Sequence, residues 1–234
     1  MLNNKIDYLE ATAAMFFFPI SLFLIIFILI LIPVLFILIP IRVVSAAFGR
    51  LGIPAPIAFF LFLSSLVGSL INIPIVKSSI PAKPFVVQPG FDIFRPFLYQ
   101  PPPSEHMTLA VNVGGAIIPV IICLLLLPRA PFFPTIISTA VLVLTCYLVA
   151  RPVPGIGITI PTLIPPAAAV LCAFIFSPKK RAPVAYISGV LGVLIGADLL
   201  HLGSLSSYSG LMSIGGAGVF DGIFLVGILA ALFA

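Results

Sequence analysis

The chain has 234 residues, of which 62% are hydrophobic and 7% charged, and its formal net charge is +5. Soluble domains carry roughly 25% charged residues, so a chain this apolar has too little polar surface to coat a water-soluble globule and belongs in a lipid bilayer. Its basic residues are scattered as punctuation between apolar runs, which encodes membrane orientation and is not a nucleic-acid footprint.

The first charge-free run, 11–41, is longer than the ~7–15 residues of a secretory signal core and predicts a spanning helix near 15–39. Later charge-free runs predict helices near 55–76, 109–127 and 132–150, and two more near 183–203 and 212–233 are interrupted only by aspartates, each close to the ~20 residues that cross a hydrocarbon core. Between the second and third helices lies 77–108, with seven prolines and interleaved Phe85, Phe91, Phe94, Phe97 and Tyr99. It reads as an extended, polyproline-like loop at the lipid interface. The run 152–178 carries Pro152, Pro154, Pro161, Pro165, Pro166 and Pro178, so no unbroken helix is expected before Ala167. The remainder, Ala167 to Phe176, is half a span: a broken crossing helix or a re-entrant segment.

The expected fold is therefore all-α, a polytopic transmembrane helix bundle of about seven spans, or six plus one re-entrant segment. It forms a single integral membrane domain over 1–234. With seven spans, Arg42, Arg50, Arg129, Lys179, Lys180 and Arg181 share the cytoplasmic side. With six, the first three fall outside and the Lys179–Arg181 cluster stays inside. Both arrangements predict a cell-membrane protein with a cytoplasmic C-terminus, and its evident partner is the lipid bilayer. Cys123, Cys146 and Cys172 lie in apolar runs without a Cys-x-x-Cys pair and read as packing residues. No cofactor and no metal is expected.

Downstream of Glu105 only two acidic residues occur, Asp198 and Asp221, both in glycine-rich apolar sequence within the closing hairpin 182–234. An ionisable group at membrane depth marks a functional site by default. Asp198 lies 17 residues from Arg181, about 25 Å along a helix, and Asp221 lies 13 residues from Ala234, about 20 Å. The hairpin would thus bring both acids to similar height. Two close carboxylates share a proton and titrate as a unit, which suits proton or monovalent-cation coupling and equally suits an aspartyl dyad that activates water. His201, at i+3 from Asp198, could supply a counter-charge or relay the proton.

Gly192 and Gly196 form one G-x-x-x-G pair and Gly218 and Gly222 another, each suited to close helix packing. Gly215-Gly216-Ala217-Gly218 lacks the lysine of a phosphate loop and reads as unwound backbone at a discontinuous helix. Asn72-Ile73-Pro74 and Asn112-Val113-Gly114-Gly115 add polar, helix-breaking positions to the second and third spans. The alternative for each aspartate is structural: Asp221 capping the half-helix that follows it, Asp198 bonding freed backbone.

The strings Ala150-Arg151-Pro152-Val153-Pro154-Gly155-Ile156-Gly157-Ile158, Gly196-Ala197-Asp198-Leu199-Leu200 and Ser213-Ile214-Gly215-Gly216-Ala217-Gly218-Val219-Phe220-Asp221-Gly222-Ile223-Phe224-Leu225 resemble the signature stretches of an uncharacterised prokaryotic membrane family, domain of unknown function 1614. The similarity runs from about Asn72 onward. It implies a polytopic membrane protein of archaea or bacteria and supplies no activity. A weaker similarity is to presenilin-type intramembrane aspartyl proteases, which place Gly-x-Gly directly before a catalytic aspartate. Here Val219 and Phe220 intervene between Gly218 and Asp221, and no Tyr-Asp pair or Pro-Ala-Leu motif accompanies them. That analogy would make Asp198 and Asp221 the catalytic dyad. Three functions follow from the sequence: a transport-type protein that binds a proton or cation at Asp198, Asp221 and His201; an intramembrane aspartyl protease; or a non-catalytic membrane scaffold or assembly factor.

Overall fold

The structure is a computed structural model that describes residues 20–77, 107–153, 157–205, 210–216 and 222–234. The chain is mostly helical and divides into two compact units, 1–42 and 43–234. Helix α1, Ile20–Arg50, supplies the described part of the first unit, and every side chain from Leu22 to Pro40 is exposed. So long an apolar exposed surface is untenable in water and suits lipid. The helix also runs past Arg42, beyond the expected end near 39.

In the second unit, the last turns of α1 bury Val44, Ala47 and Phe48. Helix α2, Ala55–Gly68, starts at Pro54 with a second proline in its first turn, where no intrahelical N–H is needed. It is shorter than the expected 55–76: the chain turns at Ser69–Leu70 and becomes strand β1, Asn72–Lys77. The β-branched Ile73, Ile75 and Val76 and the helix-breaking Pro74 favour extended backbone there. Strand β2, Met107–Asn112, replaces the first residues of the helix expected at 109–127. The chain then enters a π-helical turn, Val113–Ile117, and helix α3, Ile118–Leu126. The Pro-rich segment between the strands, residues 78–106, lies outside the described residues.

Helix α4, Phe132–Val149, matches its expected range. A short hairpin of β3, Arg151–Val153, and β4, Gly157–Thr159, leads to helix α5, Ile164–Phe176. Helix α5 begins three residues before Ala167 because Pro165 and Pro166 occupy its first turn, where proline costs no hydrogen bond. Helix α6, Arg181–Val193, continues as a π-helix, Leu194–Leu199, before a short α7, Leu202–Leu205. The helix expected at 212–233 is split into strand β5, Gly210–Ile214, and helix α8, Gly222–Phe233. Strand β2 pairs antiparallel with β1 and parallel with β5, giving the order β1-β2-β5. Pro74 sits at the bulge in β1, an edge strand, where its missing N–H does least harm.

Helix α6 is the axis of the packing. It touches α3, α4, α5 and α8, and ten of its thirteen residues are buried, including Tyr186. By contrast α2, α3 and α4 expose large apolar side chains, among them Phe60, Leu124, Leu125, Phe133 and Leu148, while Ser65, Asn112, Ser138 and Ser188 are buried. Apolar residues facing out and polar ones facing in is the arrangement a lipid solvent selects. Among the described residues, three helical stretches, Leu22–Arg50, Phe132–Val149 and Arg181–Leu199, are long and apolar enough to cross a membrane.

Gly192 and Gly196 lie against α4, not α8. A Cβ on Gly192 would sit 2.5 Å from Leu142 Cβ, and one on Gly196 would strike the Val143 carbonyl oxygen. Contact with α8 is made through Gly189, beside Val226, and Gly227, beside Tyr186. Gly218 lies outside the described residues, and a Cβ on Gly222 would meet nothing within 4 Å among them. Gly192→Val should therefore destabilise the bundle by about 1–3 kcal/mol through overpacking. Gly222→Ala should stay within about 0.5 kcal/mol of the parent. The chain has no tryptophan but three buried free cysteines, so thermal unfolding in detergent can be followed with a thiol-reactive fluorogenic dye.

Candidate functional site

Residues that the sequence marks as polar and helix-breaking come together where the three-stranded sheet feeds the helices. Asn112, the last residue of β2, is 1% exposed and caps the π-helical turn: its Oδ1 accepts from the Gly115 N–H at 2.7 Å. Its Nδ2 donates to the Ser69 carbonyl at 2.7 Å and to Asn72 Oδ1 at 3.1 Å. Asn72 Oδ1 accepts a second bond from Ser213 Oγ at 2.6 Å, tying β5 to β1. Ser65 Oγ donates to the Gly114 carbonyl at 2.7 Å. Gly114 is pressed so closely onto the last turn of α2 that a Cβ would overlap the Ser65 carbonyl oxygen. The backbone polar groups freed where α2 ends and α3 begins are thus paired within the protein.

Asp198 joins this network from α6. It sits in the π-helical stretch, whose wide turn is marked by the Leu200 N–H bonding to the Ile195 carbonyl five residues back. Such bulges occur often at functional sites. Its Oδ2 accepts from the Gly215 N–H at 2.9 Å, and Oδ1 has no hydrogen-bond partner among the described residues. Gly215 has φ +83°, a left-handed conformation costly for any residue with a Cβ. A Cβ there would also lie 2.7 Å from Ala116. The Gly215–Gly216 turn therefore rests directly on the π-helical turn that Asn112 caps, linking the carboxylate to the buried amide through one backbone.

His201 is held beside this site but turned to its own helix. Nδ1 lies 2.9 Å from the Ala197 carbonyl and 3.2 Å from that of Gly196, and the ring stacks on Tyr147 with centroids 4.9 Å apart. Carbonyls only accept, so Nδ1 carries a hydrogen in this contact. The ring thereby satisfies carbonyls at the end of α6, which is a positioning contact. Asp221 lies outside the described residues.

The sequence singled out Asn72, Asn112, Gly215 and Asp198 individually. It missed Ser65, Ser213 and Tyr147, because isolated hydroxyls in apolar sequence carry no spacing signal, and Ser69, which contributes a backbone carbonyl. Asn112→Leu would orphan the Ser69 carbonyl and the Gly115 N–H, and should cost about 2–4 kcal/mol. Ser213→Ala, which leaves Asn72 bonded to Asn112, should cost less than about 1.5 kcal/mol. The same thermal thiol-exposure assay ranks the two.

No curated protein and no solved structure matches this chain. The family model described as a protein of unknown function, DUF1614, matches residues 66–233, and this stretch holds every contact of the network except the Ser65 hydroxyl. With that match spanning most of its length, the chain belongs to the DUF1614 family.

Proposed function

We propose that this chain is a multi-pass cell-membrane protein in which Asp198, with Asp221, binds a proton or monovalent cation in a transport-type function. The observation that carries this reading is the single carboxylate placed on a π-helical bulge, one oxygen held by a backbone amide of a broken segment. Discontinuous helices with a nearby carboxylate are a recurrent way to build ion and substrate sites in transporters. The second oxygen is the one that would take up a proton or cation.

The placement of charge supports the multi-pass part. Arg50, Arg129, Lys179, Lys180 and Arg181 surround one hollow, and Ala234 borders it. This is the grouping of the seven-span arrangement; six spans would separate Arg50 and Arg129 from the lysines. By the positive-inside rule that end, with Ala234, faces the cytoplasm.

Asp198→Asn separates transport from scaffolding. Asparagine keeps an oxygen that can accept from Gly215 and removes only the titratable charge, whereas Asp198→Ala removes the acceptor as well. In proteoliposomes with a pH-sensitive or cation-sensitive dye inside, wild type should collapse an imposed gradient faster than empty vesicles, and Asp198→Asn should not. Asp198→Ala should in addition lose about 1–2 kcal/mol of stability relative to Asp198→Asn. Wild-type flux in Asp198→Asn, or no wild-type flux above empty vesicles for either ion, would leave Asp198 with a purely structural role.

A further inference from the structure

The opposite end of α6 carries a second feature. Four chain segments converge there around an open hollow of about 660 Å³. The end of α1 contributes Arg50, the α3–α4 turn Arg129, the start of α6 Lys179, Lys180 and Arg181, and the end of α8 Ala234. Among the described residues that line it there are five cations and no Asp or Glu side chain. Gathering like charges from positions so far apart in sequence costs repulsion that an anion would relieve.

Two of the cations are fixed in place. The Arg129 guanidinium donates to the Leu51 carbonyl at 3.0 Å, and that of Arg181 lies 4.1 Å above the Phe174 ring. Arg181 Nε is buried without a hydrogen-bond partner among the described residues. The first turn of α6 opens at the same place, and its N-cap residue, Lys180, makes no side-chain capping bond. The positive end of a thirteen-residue helix adds to the attraction for an anion.

We propose that this hollow binds the phosphate of an anionic lipid headgroup from the leaflet at that end. A lipid is favoured over a soluble anion by the apolar walls next to it in sequence: Leu127, Phe132 and Phe176 are exposed, leaving surface for acyl chains. Basic pockets between spanning helices recognise headgroups in this way. The site requires the bundle to lie in a bilayer; it does not require Asp198 to carry an ion.

Native mass spectrometry of the full chain, delipidated and re-incubated with phosphatidylglycerol or phosphatidylcholine, tests this. Wild type should retain phosphatidylglycerol about tenfold more than phosphatidylcholine. The double variant Lys179→Gln, Lys180→Gln should lose this retention by about 10–30-fold, while Lys179→Arg, Lys180→Arg should keep it. Excess inorganic phosphate should leave the retained lipid in place. Equal retention of the two lipids by wild type, which needs no variant to fold, would overturn the proposal. So would unchanged retention in the glutamine variant, or displacement by inorganic phosphate, which would make the ligand a soluble anion.

Discussion

Inside a hydrocarbon layer no water is present to bond a peptide group that a helix leaves unpaired, and each such group costs several kcal/mol. The second unit interrupts its helices after Gly68, before Val113 and after Leu199, so its architecture depends on how those interruptions are closed. Asn112 is the main answer. One buried amide serves the Ser69 carbonyl, the Asn72 side chain and the Gly115 N–H together. The small sheet β1-β2-β5 does the same for the strand backbones, and parallel pairing of β2 with β5 joins segments a hundred residues apart. Without these partners the same apolar sequence would have to remain helical throughout.

That contrast explains what was legible in the sequence. Charge-free runs and their lengths identified the apolar helices and the all-α class, and α4 falls where expected because nothing interrupts it. The strands were not legible. Asn72–Lys77 and Met107–Asn112 are as apolar as the helices they adjoin, and hydropathy measures burial in lipid without distinguishing extended from helical backbone. Proline positions could have helped: Pro74 ends the helical reading, whereas Pro165 and Pro166 are compatible with a first turn. Gly192 and Gly196 were legible as a packing surface but not as to partner, since they meet α4 and the hairpin contact is made by Gly189 and Gly227.

For the site, Asp198 was legible because a lone acid in apolar sequence is costly. Its partner was not, for a backbone N–H has no sequence signature beyond the glycine whose conformation presents it. Gly215 fulfils two demands at once, a positive φ and contact with Ala116 too close for a side chain. An i+3 relation of His201 to Asp198 assumes an α-helix, and the π-helical stretch 194–199 changes the angular step, so the ring meets the Gly196 and Ala197 carbonyls.

The Asp198–Gly215 bond makes structure and charge inseparable at this point. A backbone N–H bonds a carboxylate roughly twice as strongly as a neutral acceptor, so a proton added to Asp198 weakens the link between α6 and the segment leading to α8. A cation that shares the carboxylate draws its charge away from the same N–H. By reciprocity, any rearrangement that draws Gly215 away from Asp198 changes the affinity of the carboxylate for a proton or cation. Gly215 also rests on the turn capped by Asn112, so this linkage reaches α2 and α3 through contacts too tight to absorb displacement.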